Sequence, residues 1–114
     1  MTQTAASDAR TIDAEHQIQI QLLNELRRVL REGQAGDELR EQLTDYCRAH
    51  FLSEELLMRL HAYPGYDDHV ADHEQMIDAL EGLTAPEQAD ALASLLLRHI
   101  GERDATLHAY LERV

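Results

Sequence analysis

Four stretches of the chain carry hydrophobic residues at helical spacing, and short breaks separate them. The breaks contain glycine and proline, at Gly33 and Gly36, at Pro64 and Gly65, and at Gly82 and Pro86. Helices are therefore predicted over residues 11–32, 37–62, 66–82 and 86–112. Because short connections between helices of similar length favour antiparallel neighbours, the sequence predicts an all-α, up-down-up-down antiparallel four-helix bundle.

The composition agrees with one helical domain over residues 1–114, with 1–10 as a loosely ordered N-terminal arm. Hydrophobic residues make up 44% of the 114 and charged residues 28%, which is typical of a globular chain. Aromatic residues are only 4%, whereas Ala, Leu, Glu, Gln and Arg are plentiful and favour helix. Pro86 suits the first turn of the last helix, and Thr84 is close enough to cap it.

Histidines and carboxylates interrupt the predicted apolar faces. In the first helix the inward stripe contains Ile12, His16, Ile20, Leu23, Leu26 and Leu30. The other helices place His50 and Glu54, His69 and His73, and His99 followed by Asp104 on or beside their inward stripes. Every predicted helix therefore directs at least one imidazole inward.

Metal ions explain these buried groups better than a metal-free polar network, which is the alternative. A buried carboxylate without a partner costs several kcal/mol, and a cation both neutralises it and accepts imidazole lone pairs. Seven protein ligands exceed what one tetrahedral zinc takes, and the chain has no HExxH or paired-cysteine motif. The residues therefore predict two ions, and imidazole with bridging carboxylate suits iron.

The charge of −12 argues against nucleic acid and against membrane contact by this domain. The single cysteine, Cys47, excludes an internal disulfide. No apolar run is long enough to span a membrane, and residues 1–10 do not resemble a secretion signal. A cytoplasmic location is expected.

The chain resembles the hemerythrin family, specifically its bacterial members, from TIDAEHQIQIQLLNEL through LTDYCRAHFLSEELLM and YPGYDDHVADHEQM to LLLRHIGERD. The shared pattern is a lone His, then HxxxE, HxxxH and HxxxxD. The resemblance implies one iron on His69, His73 and His99, and a second iron on His16 and His50. It also implies that Glu54 and Asp104 bridge the irons with an oxo or hydroxo group. In that family the second iron has an open position, where dioxygen is held reversibly as a hydroperoxide.

Reversible oxygen binding requires a dry pocket, because water promotes permanent oxidation of the irons. Leu96, Ile20 and Leu23 are predicted around the open position, with Ile100 and Phe51 as second choices; all of them could equally be ordinary core residues. Cys47 is expected to be a packing residue rather than a redox sensor. His61 and His108 are expected at the surface or at helix ends.

Three functions remain open at this point. The first is an oxygen carrier or store, and the second is an oxygen-sensing or redox-sensing domain with a fused or partner signalling domain. The third is a di-iron enzyme of the peroxidase or nitric oxide reductase type; we expect no enzymatic activity. Bacterial members of the family commonly begin with a Trp-containing segment, and MTQTAASDAR stands here instead.

The last helix contains a register problem. His99 and Asp104 are five residues apart, which a regular helix separates by about 140°. One added residue in the turn after His99, a π-bulge, would direct both side chains to the same site, and Gly101 lies in that turn. The alternative is an unbroken helix whose two ligands approach the irons from either flank.

Overall fold

The computed structural model describes the backbone of residues 5–114 and the side chains from residue 13 onward, and this part of the chain is helical without strands. Helices α1, α2, α3 and α4 span Ala5–Arg31, Asp37–Leu60, Tyr66–Glu81 and Pro86–His99. A π-helical turn, Ile100–Asp104, follows α4 without a break and continues into α5, Ala105–Arg113. None of these helices is long and apolar enough to cross a membrane.

Helix α1 begins earlier than predicted, at Ala5 rather than at residue 11. Residues 5–10, which were assigned to the N-terminal arm, are therefore helical. Residues 1–4 of that arm lie outside the described residues, as does the side chain of Ile12. The other helix ends lie within two residues of the predicted ones.

Each helix contacts the next along the chain, and α1 also contacts α4 and α5. The main core contains leucines from α1, α2 and α4, and Met76 and Leu80 from α3. Complete burial of one such side chain is worth about 1.5–3 kcal/mol, so this core is a large part of the stability. A smaller cluster, containing Met58, Tyr63, Leu107 and Leu111, lies towards the other end of α2.

Two connections show how backbone geometry sets the helix ends. Gly33 and Gly36 have φ values of 81° and 68°, in the left-handed region that suits glycine. At the start of α4, Ala85 rather than Thr84 occupies the N-cap position. The Gln88 Oε1 atom accepts hydrogen bonds from the backbone N–H groups of Thr84 and Ala85, at 2.7 and 3.0 Å, so the predicted Thr84 cap is wrong.

The predicted π-bulge after His99 is confirmed. The backbone N–H of Ala105 bonds to the carbonyl of Ile100, five residues earlier, where an α-helix would use the residue four earlier. The added residue turns Asp104 inward, and its carboxylate is buried. Gly101 is not needed for this geometry, because its φ lies outside the left-handed region and nothing lies within 4 Å of an added Cβ.

Gly101→Ala should therefore raise the free energy of unfolding by about 0.5–1 kcal/mol, since alanine loses less backbone freedom on folding. Denaturant unfolding of the metal-free protein measures this change. Gly36→Ala is the matched control and should destabilise, because Gly36 has a positive φ and an added Cβ would lie 3.0 Å from Leu26 Cδ1. A less stable Gly101→Ala protein would show that the π-turn requires glycine.

Candidate metal centre

The structure brings all seven predicted ligand residues into one buried cluster. Helix α1 contributes one of them, α2 two, α3 two and α4 one, and the π-turn contributes the last. Their ligand atoms form two groups, each with all atoms within 4.8 Å of one another. The first group contains Glu54, His69, His73, His99 and Asp104, and the second contains His16, His50, Glu54 and Asp104. The two carboxylates therefore belong to both groups.

Helix periodicity accounts for most of this convergence. Residues four apart lie on the same face of a helix, so His50 and Glu54 point inward together from α2. His69 and His73 do the same from α3. On the last helix the five-residue spacing needs the π-turn, because a regular α-helix would turn Asp104 away from the face that holds His99.

The carboxylate of Glu54 lies between imidazoles from three helices. Its Oε1 atom is 3.0 Å from Nε2 of His69 and 2.9 Å from Nε2 of His73. Its Oε2 atom is 2.9 Å from Nε2 of His50 and 3.4 Å from Nε2 of His16. One oxygen therefore faces the three-histidine group and the other faces the two-histidine group.

Asp104 repeats this division. Its Oδ1 atom is 2.9 Å from Nε2 of His69 and 3.0 Å from Nε2 of His99, whereas its Oδ2 atom is 2.9 Å from Nε2 of His16. Each of the two carboxylates therefore offers one oxygen to each group, which is the geometry that a bridging carboxylate requires.

Several of these close contacts are not hydrogen bonds. Nε2 of His50 and Nε2 of His99 lie within about 3 Å of carboxylate oxygens, yet neither has a hydrogen-bond partner, and the same holds for both oxygens of Asp104. When the lone pairs of several nitrogen and oxygen atoms are directed at a common point, these atoms lie close together without the angles of hydrogen bonds. Imidazole nitrogens and carboxylate oxygens are ligand atoms that transition metals bind. Because several of them are buried here without hydrogen-bond partners, this set of residues fits metal cations.

Carboxylates outside the cluster orient three of the imidazoles from behind. The pairs, measured to the histidine Nδ1 atom, are His50 with Glu15 at 2.9 Å, His73 with Glu55 at 2.9 Å and His99 with Asp72 at 3.2 Å. In the tautomer whose Nδ1–H donates to the paired carboxylate, the Nε2 lone pair is directed at the cluster. Histidines that bind metals are generally held in this way.

The imidazoles and carboxylates of the cluster shift one another's pKa values strongly. Burial by itself would lower the pKa values of His16 and His69, but contact with Asp104 and Glu54 raises both to about 9. Burial by itself would raise the pKa values of the two carboxyl groups, but the surrounding imidazoles hold both well below their usual range. At neutral pH His16 and His69 are therefore protonated in the metal-free cluster, opposite two ionised carboxylates. Burial by itself would lower the pKa of His50 as well, but contact with Glu54 and Glu15 raises it.

The predicted pocket residues differ in their burial and in their contacts with the cluster. Leu96 and Leu23 are buried in the main core, whereas Ile20 is only half-buried. The ring of Phe51 stacks on His73, with centroids 4.1 Å apart and planes 9° apart. Ile100 is half-buried at the start of the π-turn.

The three residues outside the ligand pattern have separate surroundings. Cys47 is buried, and burial raises the pKa of its thiol to about 11, which agrees with packing rather than thiolate chemistry. His108 lies near the surface, with its ring nitrogens 3.3 Å from Asp13 Oδ1 and 3.1 Å from Glu112 Oε1. His61 lies at the end of α2, where its carbonyl accepts a hydrogen bond from the Tyr110 hydroxyl.

The sequence interpretation missed two kinds of residue. The first is the outer carboxylates; Glu15 and Asp72 each precede a histidine of the cluster, and Glu55 follows Glu54, so adjacency to a ligand was the available signal. The second is Gln19, which is fully buried one turn after His16, where Ile20 was expected. Buried residues of α1 recur alternately three and four positions apart, and Gln19 fits this spacing, which was the available signal. Because Gln19 is polar, it was not assigned to the core.

Comparison with known proteins agrees with this geometry. A family model described as the hemerythrin HHE cation binding domain matches residues 7–111 and so includes every residue of the cluster. The comparison with curated proteins gave no match, and neither did the comparison with solved structures.

The metal-free protein should lose stability as the pH rises from 6.5 to 9. His16 and His69 have folded-state pKa values of about 9, against an ordinary 6.5, so protonation favours the folded state. That contribution is complete below pH 6.5 and disappears as the pH passes 9. Glu54 and Asp104 contribute oppositely, because their lowered pKa values stabilise the fold above the ordinary carboxyl range and lose effect in acid.

Melting temperatures of the metal-free protein across this pH range test the prediction. The chain contains no lysine, so lysine deprotonation cannot cause an alkaline decline. Metal-loaded protein is the control; its ligand imidazoles are already unprotonated, so the same decline should be absent. A metal-free protein that becomes more stable from pH 6.5 to 9 would contradict the prediction.

Proposed function

The chain belongs to the hemerythrin family, and on that basis we propose that the cluster holds two iron ions and binds dioxygen reversibly at them. The observation that carries the proposal is the sharing of Glu54 and Asp104, each with one oxygen facing the three-histidine group and the other facing the two-histidine group. The donor set supports iron, because imidazole with carboxylate is a common ligand set for that metal. The implied oxo or hydroxo bridge is part of the proposal.

The two groups differ in size, which supports an open position in the smaller one. The first group offers five ligand residues and the second offers four, with His16 and His50 as its only imidazoles. A pair of ferrous ions held by these residues would supply the electrons with which dioxygen can be bound reversibly. The protein must then hold the ions in place, admit small molecules and exclude water.

The chain's own residues meet these requirements. Leu96 and Leu23 are buried in the main core, and we propose that they, with Ile20 as a third apolar neighbour, keep water from the site. His16 and Asp104 lie in the wall of a surface cavity of about 280 Å³, whose other lining residues include Ile100 and His108. A molecule as small as dioxygen could reach the two-histidine group through this cavity.

We also propose the expected up-down-up-down antiparallel bundle as the arrangement that supports the site. Pairs that cross from helix to helix run in opposite chain order, which supports this arrangement. Along α1 and α2, Glu15 pairs with His50 and Gln19 pairs with Cys47. The same reversed order holds for Glu55 with His73 and Arg48 with Glu81, between α2 and α3.

A carrier or store and a sensory domain would share the same binding step, and we propose reversible binding as the property common to both. In the sensory role, a fused or partner signalling domain would respond to the change at the site. The absence of nucleic-acid and membrane partners is a further part of the proposal, supported by the charge of −12. A cytoplasmic location is also proposed. The alternative is a di-iron enzyme, which would consume the bound molecule instead of releasing it.

Repeated oxygenation tests the proposal directly. Protein loaded anaerobically with ferrous iron should bind about two irons per chain. Its visible spectrum should then change on addition of oxygen and return on its removal, over several cycles. Steady consumption of oxygen, peroxide or nitric oxide would instead indicate an enzyme, and binding of one iron or one zinc per chain would contradict the di-iron site.

Glu54→Ala should abolish tight binding of the metal pair, because it removes one oxygen from each group. Iron content after gel filtration measures the loss. Glu74→Ala is the matched control, since Glu74 is exposed on α3 beside His73 and should be dispensable. A Glu54→Ala protein that retains two irons would show that the bridging assignment is wrong.

Leu96→Ala should speed irreversible oxidation of the oxygenated protein, because a smaller side chain admits water beside His99. The cavity should also cost roughly 2 to 5 kcal/mol of stability. Loss of the oxygenated spectrum over time measures the first effect, and denaturant unfolding measures the second. Leu97→Ala is the control, since Leu97 is 57% exposed; equal oxidation rates in both variants would mean that another residue protects the site.

A further inference from the structure

Gln19 is a polar side chain in a place that the core does not explain. It is fully buried, its Nε2 atom donates to Sγ of Cys47 at 3.3 Å, and its Oε1 atom has no hydrogen-bond partner. An unpaired buried polar atom destabilises the fold, and a leucine or methionine could fill the position without that cost. A stability cost that a simple substitution would remove is typical of a group retained for function.

The position of Gln19 places it beside the two-histidine group. Gln19 follows His16 by three residues on α1, and Cys47 precedes His50 by three residues on α2. Because the two helices pair in opposite chain order and the two side chains touch, both lie about one turn from the ligands, at the same level of the fold.

The other buried side chains at this level, about one turn from the ligands, are apolar. Met76 follows His73 by three residues, Leu96 precedes His99 by three, and both are buried in the main core together with Cys47. Gln19 therefore supplies the one amide among the described side chains at this level. It lies nearest to the ligands of the smaller group, which offers four ligand residues against five.

We propose that Gln19 is a ligand-binding residue, which hydrogen-bonds a small inorganic molecule bound at the two-histidine half of the centre. This inference deepens the proposed function and rests on it. Cys47 is the positioning residue, because its sulfur can accept from the amide N–H or donate S–H to the amide oxygen. Either orientation of the amide keeps the contact with Cys47 and leaves one polar atom free for a ligand that accepts or donates a hydrogen bond.

The test uses Gln19→Leu in the di-iron protein, with azide as the probe for the oxidised form and dioxygen for the reduced form. Loss of one hydrogen bond should raise the azide dissociation constant and the oxygen release rate by roughly tenfold. Met76→Leu is the matched control, since it changes the same level beside the three-histidine group and should leave both values unchanged. Cys47→Val should give part of the loss, because the amide remains but is no longer positioned.

A second measurement separates ligand binding from a structural role. In the metal-free protein Gln19→Leu should leave the melting temperature equal or higher, since it removes an unpaired polar atom. Unchanged azide and oxygen binding would overturn the inference, as would a lower melting temperature with unchanged affinity. If the wild-type protein failed to oxygenate reversibly, the proposed function would fail, while the azide titration would still test Gln19.

Discussion

Two buried carboxylates shared by five imidazoles are the interaction on which the rest of this structure depends. Glu54 and Asp104 have almost no contact with solvent, and an ionised carboxylate in such a place is tolerated only opposite positive charge. Protonated imidazoles supply that charge without metal, and cations would supply it with metal. Because the partners come from α1, α2, α3 and α4, the charges at the centre link all four helices.

Around this centre the outer carboxylates form a regular series. A residue adjacent to a ligand on one helix holds an imidazole of the next helix: Glu15 on α1 holds His50 on α2, and the pattern continues with Glu55 and Asp72. Each of these helices thus supplies a cluster residue that points inward and, at the adjacent position, a carboxylate that orients an imidazole of the next helix. Movement of one helix would misdirect ligands on two, which makes the geometry of the centre cooperative.

The sequence predicted the helices and the ligands because both follow periodicity. Apolar spacing located the helices, and histidines and carboxylates on the inward stripes located the centre before any contact was known. The five-residue step from His99 to Asp104 favoured the π-turn over an unbroken helix with its two ligands on either flank, and the structure has the π-turn. The cap at Thr84 was predicted wrongly, because a side chain one turn later, that of Gln88, supplies the hydrogen bonds.

What the sequence did not reveal depends on pairs from different helices. Nothing within α1 shows that Gln19 faces Cys47, or that Glu15 reaches His50, because these contacts exist only after α1 packs on α2. Periodicity locates a face of a helix to within one residue, which is why Ile20 was expected where Gln19 lies. A polar residue at a core position is assigned to the surface unless its partner is known.

The order of the ligands along the chain has a consequence for biosynthesis. The first three helices contain Glu54 and four of the five histidines of the cluster, whereas His99 and Asp104 belong to the last helical segment. Until that segment packs against the first three helices, Glu54 is the one carboxylate of the cluster in place. In the proposed two-ion centre, the second carboxylate shared by both groups would therefore be added last, together with the π-turn.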